Sequence, residues 1–263
     1  MDTSYSSQDI AATDFISVPK IAPGSQEKLA LAIPTLREAE NLPVLLGRVR
    51  AALEPLGIRY EVLIVDDDSR DGTEEIVTAI AAEDPRVRLL VRKGERGLSG
   101  AILHGWQNTD ATILGVMDAD LQHPPELLPK LVESIENGSD LAIGSRYTEG
   151  GGVGDWNIVR RLLSAAAVWV TWPIQRTGLR AHDPMTGFFL VRRTSVEEIA
   201  FQKSGFKLLL EVLVRARLQR VEEVPFAFGL RSRGASKANS KVALHYAKLL
   251  WRLYNVRLGL SKD

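Results

Sequence analysis

The sequence predicts an α/β protein with a mostly parallel sheet covered by helices on both faces. Three observations predict it. Apolar runs of strand length alternate with segments of helical period. The runs are continuous rather than alternating, as expected for strands buried on both sides. Acidic residues collect where the runs end, and ligands of open α/β sheets bind at the carboxyl ends of strands.

In chain order, KLALAIPT (28–35) reads as a strand. NLPVLLGRVRAALEPLG (41–57) has helical spacing, with Asn41 as N-cap and Gly57 as stop. YEVLIVDDD (60–68) is a strand running into acids. RDGTEEIVTAIAAED (70–84) is a helix, with Asp71 and Glu74 at capping-box spacing. VRLLV (87–91) is a strand, GLSGAILHGWQ (97–107) a helix and ATILGVMDAD (111–120) a strand. PPELLPKLVESIENG (124–138) is a helix opened by prolines and closed by Gly138, and DLAIGSRY (140–147) is a further strand.

The 263 residues suit one large domain or two small ones. Residues 1–27, polar and aperiodic at their start, are expected to form a flexible tail. No cysteine is present, which excludes disulfides, thiol nucleophiles and thiolate metal sites. The longest apolar stretch, 162–174, is shorter than the roughly 20 residues of a membrane span, and the first residues do not resemble a signal peptide. The formal charge of zero hides a division. Residues 1–155 carry 14 basic and 26 acidic side chains, and residues 156–263 carry 19 and 7. Such asymmetry points to a polyanionic or membrane partner for the basic half.

GERGLSG (94–100) is not a GxGxxG fingerprint, and no GxxxxGK[ST] loop occurs, which weakens dehydrogenase and kinase readings. The chemistry concentrates in MDADLQHPPE (117–126). Asp118 and Asp120 flank one small residue at a strand end, and Gln122 adds a neutral oxygen. Oxygen donors in this pattern suit Mg²⁺ or Mn²⁺, with a diphosphate completing the shell. His123 reads as the residue leading into the following helix rather than as a ligand. A second element, VDDDSRDGT (65–73), gathers acids that a ligand or backbone amides must use. Capping by Asp71 does not account for Asp66 and Asp67.

Together with IPTLREAENL (33–42), RGLSGAILHG (96–105), GSRY (144–147), RR and LLS (160–164), DPMTGFFLVRR (183–193), GFKLLLEVL (205–213) and EVPFAFGLRSRGASK (223–237), these motifs occur in order over residues 28–240. Here the chain resembles the inverting family 2 glycosyltransferases of the A-type fold, and among them the polyprenol-phosphate (dolichol-phosphate) mannose synthases. The resemblance implies a catalytic domain over 28–240. It implies that Pro34, Thr35 and Glu38 line the nucleoside site, that Asp67 accepts from the base and that Val65 contributes backbone contacts. Thr35 departs from the aromatic residue of many relatives. Gly97 would let the chain approach the nucleotide closely. Asp118, Ala119 and Asp120 would meet the sugar nucleotide, and Asp118, Asp120 and Gln122 would hold the metal. Arg146, Arg160 and Ser164 would bind the acceptor phosphate. Arg231 and Lys237 would close over the donor diphosphate or the acceptor. Catalysis is expected to rest on Asp118, Asp120, Arg146 and Arg231.

The implied reaction moves mannose from GDP-mannose to a polyprenyl phosphate, with inversion to a β-linked product. The acceptor is already anionic, so the site needs cations and in-line orientation more than a strong base. Two alternatives are a UDP-sugar donor such as UDP-glucose with the same acceptor, and a non-catalytic nucleotide-sugar binding module. Residues 156–180 combine Trp156, Trp169 and Trp172 with Arg160, Arg161, Arg176 and Arg180. They suit helices at a membrane interface, the alternative being a buried core helix. Residues 241–263 are expected to form an amphipathic helix with Val242, Leu249, Leu253 and Val256 on its apolar face. It would meet anionic lipid, the domain itself or a membrane-anchoring partner subunit. A peripheral place on the cytoplasmic face of a membrane follows as the expected location. Nucleic acid is disfavoured, since no motif of that class accompanies the basic residues.

Overall fold

The structure is a computed structural model that describes residues 14–22, 24–152, 158–227 and 240–260. From the N-terminus, strand β1 (Phe15–Ser17) precedes β2 (Leu29–Thr35), helix α1 (Leu42–Leu53), β3 (Tyr60–Asp66), α2 (Thr73–Glu83), β4 (Val87–Val91), α3 (Leu98–Gln107) and β5 (Ile113–Val116). Then follow α4 (Leu128–Glu136), β6 (Leu141–Ser145), α5 (Ile158–Trp169), β7 (Phe189–Arg192), a single turn α6 (Arg193–Val196), β8 (Ala200–Gln202), α7 (Leu208–Arg215), β9 (Val221–Pro225) and α8 (Ser240–Arg257).

Among the described residues the main sheet has seven strands in the order β4-β3-β2-β5-β7-β6-β9. All neighbours are parallel except β7, which runs antiparallel to both β5 and β6. Every residue of β2, β3, β5 and β6 is buried, as continuous apolar runs require. One core, built on Leu31, Leu45, Ile64, Leu131 and Leu190, fills the face under α1, α2 and α4. The other, built on Leu103, Trp106, Val116, Phe189 and Val212, fills the face under α3 and α7. Fully buried side chains of this size contribute roughly 1.5–3 kcal/mol each relative to exposure.

Three local expectations are corrected. The tail expected over residues 1–27 is part of the fold from Phe15, because β1 pairs antiparallel with β8 and Val18 is fully buried. Asn41 occupies the N-cap position of α1 but makes no cap bond; its amide donates to Glu38 Oε2 at 2.6 Å. The Asp71–Glu74 capping box does not form. Asp71 Oδ1 instead accepts from Thr73 N and Thr73 Oγ1, and its Oδ2 accepts from Ala39 N, tying the loop after β2 to the loop after β3.

Candidate active site

Parallel strands place the ends of β2, β3 and β5 side by side, and these ends carry the motif acids. At the end of β3, Asp66 is satisfied within its own loop: it accepts from Thr35 Oγ1 at 2.9 Å, Ser69 N at 2.8 Å and Ser69 Oγ at 2.5 Å. Thr35 therefore spends its hydroxyl on Asp66, and Pro34 beside it is buried. Asp67 Oδ1 accepts from Arg92 Nε at 2.8 Å and Oδ2 from Gly97 N at 2.9 Å. Internal hydrogen bonds thus account for both acids that capping left unexplained. A carboxylate has about four lone-pair directions, so Asp67 keeps capacity for a base N–H. Gly97 has φ 136°, a conformation that side chains disfavour, and this brings its N–H onto Asp67. Val65 is fully buried in β3 and Glu38 is half-buried.

The loop after β5 holds Asp118 and Asp120, both partly exposed, around buried Ala119. Asp120 Oδ1 accepts from Gln122 N at 3.1 Å, and Leu121 between them has φ 63°. His123 is buried, stacked on Phe188 at 5.2 Å and edge-on to Phe226 at 5.7 Å. Burial pushes its imidazole down to about 4, and its Nδ1 accepts from Asp118 N at 3.3 Å. The neutral ring pins the loop to the core, in keeping with its place ahead of the helix. Glu126 of the same motif ties the loop to α1 through two hydrogen bonds from Arg48, at 2.8 and 2.7 Å.

The donor set fits a hard divalent cation. It is oxygen only, with two carboxylates and one amide on a single loop. Among the described residues no group of three or more His, Cys, Asp or Glu converges into a cage. A site of this kind relies on substrate phosphate and water for the remaining positions, which is how Mg²⁺ is usually held. The space is also kept clear. A Cβ at Gly187 would lie 2.7 Å from Asp118 Oδ1, so only glycine lets that chain back onto the carboxylate.

The end of β6 supplies a cation. Arg146 forms a two-pronged pair with Asp183, Nε to Oδ2 at 2.7 Å and Nη2 to Oδ1 at 2.8 Å, and its backbone N also donates to Oδ2. Asp183 is fully buried and is oriented in turn by Glu223, whose Oε1 accepts from Asp183 N at 3.0 Å. The guanidinium lies 5.5 Å over the Tyr147 ring, and Tyr147 Oη shares a hydrogen bond with Ser164 Oγ at 2.7 Å. Two of the three residues expected at the acceptor phosphate, Arg146 and Ser164, are thereby linked. Arg160 stands four residues before Ser164 on α5, and its side chain lies outside the described residues. Arg231 and Lys237 also lie outside them. Gly152 and Ala227 form a parallel bridge beyond the ends of β6 and β9.

Two functional candidates carry no role in the sequence reading, although both sit in quoted motifs. Asp183 is the partner of Arg146. Lys207, at the start of α7, donates to Met185 O at 3.1 Å and lies within electrostatic reach of Arg146, Asp118 and Asp183. Desolvation pulls its ammonium below the ordinary 10.5, and Arg146 adds repulsion. Their signal in sequence is only a charge inside an otherwise apolar or glycine-bearing stretch.

Around α5 and α8 the aromatic residues divide. Trp169 is 71% exposed and stacks on Trp172 at 5.8 Å, with Arg180 over Trp172. The buried-core alternative for this segment is therefore corrected at Trp169, Val170 and Trp172, which face outward. Helix α8 docks on the domain. Leu249 and Leu253 pack on Ile174, Leu210 and Val214, and the Tyr246 and Tyr254 hydroxyls donate to Ala167 O and Val170 O. Trp251 is 71% exposed. Val242 and Trp156 lie outside the described side chains. No helix among the described residues is long and apolar enough to cross a membrane.

Comparison with known proteins follows the same lines. The profile of Glycosyl transferase family 2 matches residues 30–200. The chain is 43% identical over 226 residues to the dolichol-phosphate mannosyltransferase of Pyrococcus furiosus, covering 86% of this chain and 63% of that protein's length. It is 38% identical over 242 residues to the Saccharomyces cerevisiae protein of the same name, covering 88% of this chain and 89% of that one. Solved structures share the fold. A complex of glucosyl-3-phosphoglycerate synthase from Mycobacterium tuberculosis with Mn²⁺, UDP and phosphoglyceric acid superposes with TM-score 0.59 at 16% identity, covering 94% of this chain and 88% of that one. Mannosyl-3-phosphoglycerate synthase from Rubrobacter xylanophilus gives 0.58 at 17% identity, covering 90% and 76%. With an A-type sheet, acids at its strand ends and a family match over most of the strands, the chain belongs to glycosyl transferase family 2, as a relative of the dolichol-phosphate mannosyltransferases.

Proposed function

We propose that the protein transfers mannose from GDP-mannose to a polyprenyl phosphate of the dolichyl type, inverting the anomeric centre to a β-linked lipid phosphate mannose. The observation that carries this reading is the juxtaposition of two opposite half-sites. Asp118 and Asp120 offer anionic oxygens to a cation, and Arg146, within electrostatic reach of Asp118, offers a guanidinium to an anion. The mannose and the lipid phosphate come from the relatives that the chain matches at 36–43% identity.

Asp118, Asp120 and Gln122 would hold Mg²⁺ or Mn²⁺; the ion, when bound, offsets charge developing on the departing nucleotide diphosphate. Pro34, Thr35, Glu38, Val65, Asp67 and Gly97 would bind the nucleoside, with Arg92 fixing the Asp67 carboxylate for the base. Arg146 and Ser164 would orient the acceptor phosphate, joined by Arg160 from the next helical turn. Arg231 and Lys237 would close over the diphosphate or the acceptor. Holding both anions in line accounts for catalysis without a strong general base. Asp183 would hold the planar Arg146 fork in one orientation, which matters because paired contacts to phosphate oxygens depend on that plane.

The exposed Trp169, Trp172 and Trp251, with nearby arginines, support a membrane surface as the place where the lipid acceptor is met, with no membrane-crossing helix among the described residues; the cytoplasmic face is the side we propose. A membrane-anchoring partner subunit would fit the same face. The test is a donor panel. Purified protein, divalent metal and polyprenyl phosphate are incubated with GDP-mannose or UDP-glucose, and the lipid product is analysed. β-Mannosyl phosphate lipid from GDP-mannose is the expected result. Transfer from UDP-glucose in its place would overturn the sugar assignment, and no transfer from any donor would favour a binding module.

A further inference from the structure

Away from the strand ends, a cavity of 460 Å³ opens where the turn after α5 meets the C-terminal ends of α7 and α8. Each segment contributes one arginine to its lining: Arg176, Arg215 and Arg257, with Glu198 beside them. The volume lies within the range of about 300–1,000 Å³ common for small-ligand sites. Helix α7 separates the cavity from the catalytic loops. Lys207, at the start of that helix, faces the Asp118 site, whereas Arg215 closes its far end, about 12 Å away at 1.5 Å per residue.

The charge around this cavity is out of balance. Arg215 lies 5.8 Å over the Phe15 ring and also feels the buried Glu211, which stands 3.0 Å from Arg252 Nη2. The cavity lining itself therefore carries three arginines and one carboxylate, Glu198, while Glu211 and Arg252 offset one another outside it. Among the described residues, no carboxylate pairs with Arg176 or Arg257. Helix ends favour basic residues, which accounts for Arg215 and Arg257 in the last turns of α7 and α8. Arg176 stands on a turn and has no such reason to be there. Like charges gathered around one cavity repel unless an anion enters. Guanidinium forks bind phosphate oxygens in pairs, a geometry that suits phosphate better than halide.

We propose that the cavity between Arg176, Arg215 and Arg257 is a second phosphate-binding site, separate from the acceptor site at Arg146. It would take a phosphate group either as free phosphate or as the headgroup of an anionic phospholipid. Exposed Trp169, Val170 and Trp172 precede Arg176, and exposed Leu258 and Leu260 follow Arg257, so a headgroup in the cavity would have apolar surface on both sides.

The experiment uses the full chain and two double variants of equal charge. The pocket pair is Arg176→Gln with Arg257→Gln. The control pair is Arg50→Gln with Arg70→Gln, both exposed and remote from the cavity. Circular dichroism checks that each is folded. One probe is inorganic phosphate, read as a rise in thermal midpoint; the other is sedimentation with phosphatidylcholine vesicles, with and without phosphatidic acid. The pocket pair should lose affinity for the phosphatidic acid vesicles by about fivefold per arginine relative to the control pair. Loss of the midpoint rise as well assigns the site to phosphate as such; loss confined to vesicles assigns it to the lipid headgroup. Equal behaviour of the two pairs toward both probes overturns the proposal. Mannosyl transfer to a detergent-solubilised acceptor should survive in the pocket pair, which separates this site from the catalytic reading.

Discussion

Asp183 has no exposed surface and gives both carboxylate oxygens to the Arg146 guanidinium. Removing one charge of a buried pair strands the other, at a cost of about 3–5 kcal/mol. Asp183→Asn should therefore lower the thermal midpoint. It should also raise the KM for polyprenyl phosphate more than the KM for the sugar nucleotide, since it releases the cation that meets the acceptor. Equal changes in both KM values would mean that Asp183 supports the whole site rather than Arg146. Residue-scale legibility differs between the two half-sites. That Asp118 and Asp120 share one loop is legible because they stand two positions apart at a strand end. The role of Asp183 is not, because its partner is 37 residues distant and the chain reverses direction between them. Asp66 misled in the other direction: its neighbours Thr35 and Ser69 use it fully, which no spacing rule reveals.

At the scale of elements, the strands and helices of the first half follow from period and punctuation, whereas β1 and β7 do not. β7 is a four-residue strand with three apolar residues, like its neighbours mostly apolar, and nothing in FLVR states that it enters the sheet antiparallel. Three elements meet at Glu61 on β3. Lys28 ahead of β2, Arg88 on β4 and Thr109 after α3 all converge on its carboxylate. Burial opposes its charge, but hydrogen bonds from Lys28, Thr109 and Arg88 outweigh burial and hold it below the ordinary 4.5. A carboxyl lowered on folding contributes stability above its unfolded value, and that contribution fades as pH falls through the folded one. Glu61→Gln should thus be less stable than wild type at neutral pH, with the difference narrowing on acidification below about 4.5, in denaturant titrations at several pH values. For α8, Leu253 is fully buried against the domain. Leu253→Ala should cost about 2–5 kcal/mol and expose the helix to proteolysis before the sheet. Wild-type-like protection of α8 in that variant would contradict the docking.

For the molecule as a whole, the division of charge between residues 1–155 and 156–263 is not a division into bodies. β7, from the basic half, lies between β5 and β6 of the acidic half, so one sheet carries both. The segregation instead separates roles around a shared sheet: acids of the first half at the ends of β3 and β5, and arginines of the second half on the α5–α8 side, with Arg146 just after β6 as a cation that the acidic half itself supplies. Surface charges are screened beyond about 10 Å at 0.1 M salt. Vesicle association should therefore weaken steeply with ionic strength in sedimentation assays, and salt-independent association would leave the exposed tryptophans as its only basis. The central claim is that the acids at the strand ends form the donor centre of a lipid-phosphate mannosyltransferase. Its most direct test is the initial rate of mannose transfer from GDP-mannose to polyprenyl phosphate, wild type against Asp118→Asn, with both proteins equally folded by circular dichroism. The account predicts transfer by wild type and a loss of at least about a hundredfold in the variant, the scale of removing one electrostatic stabiliser of the leaving group; an undiminished rate in Asp118→Asn would contradict it.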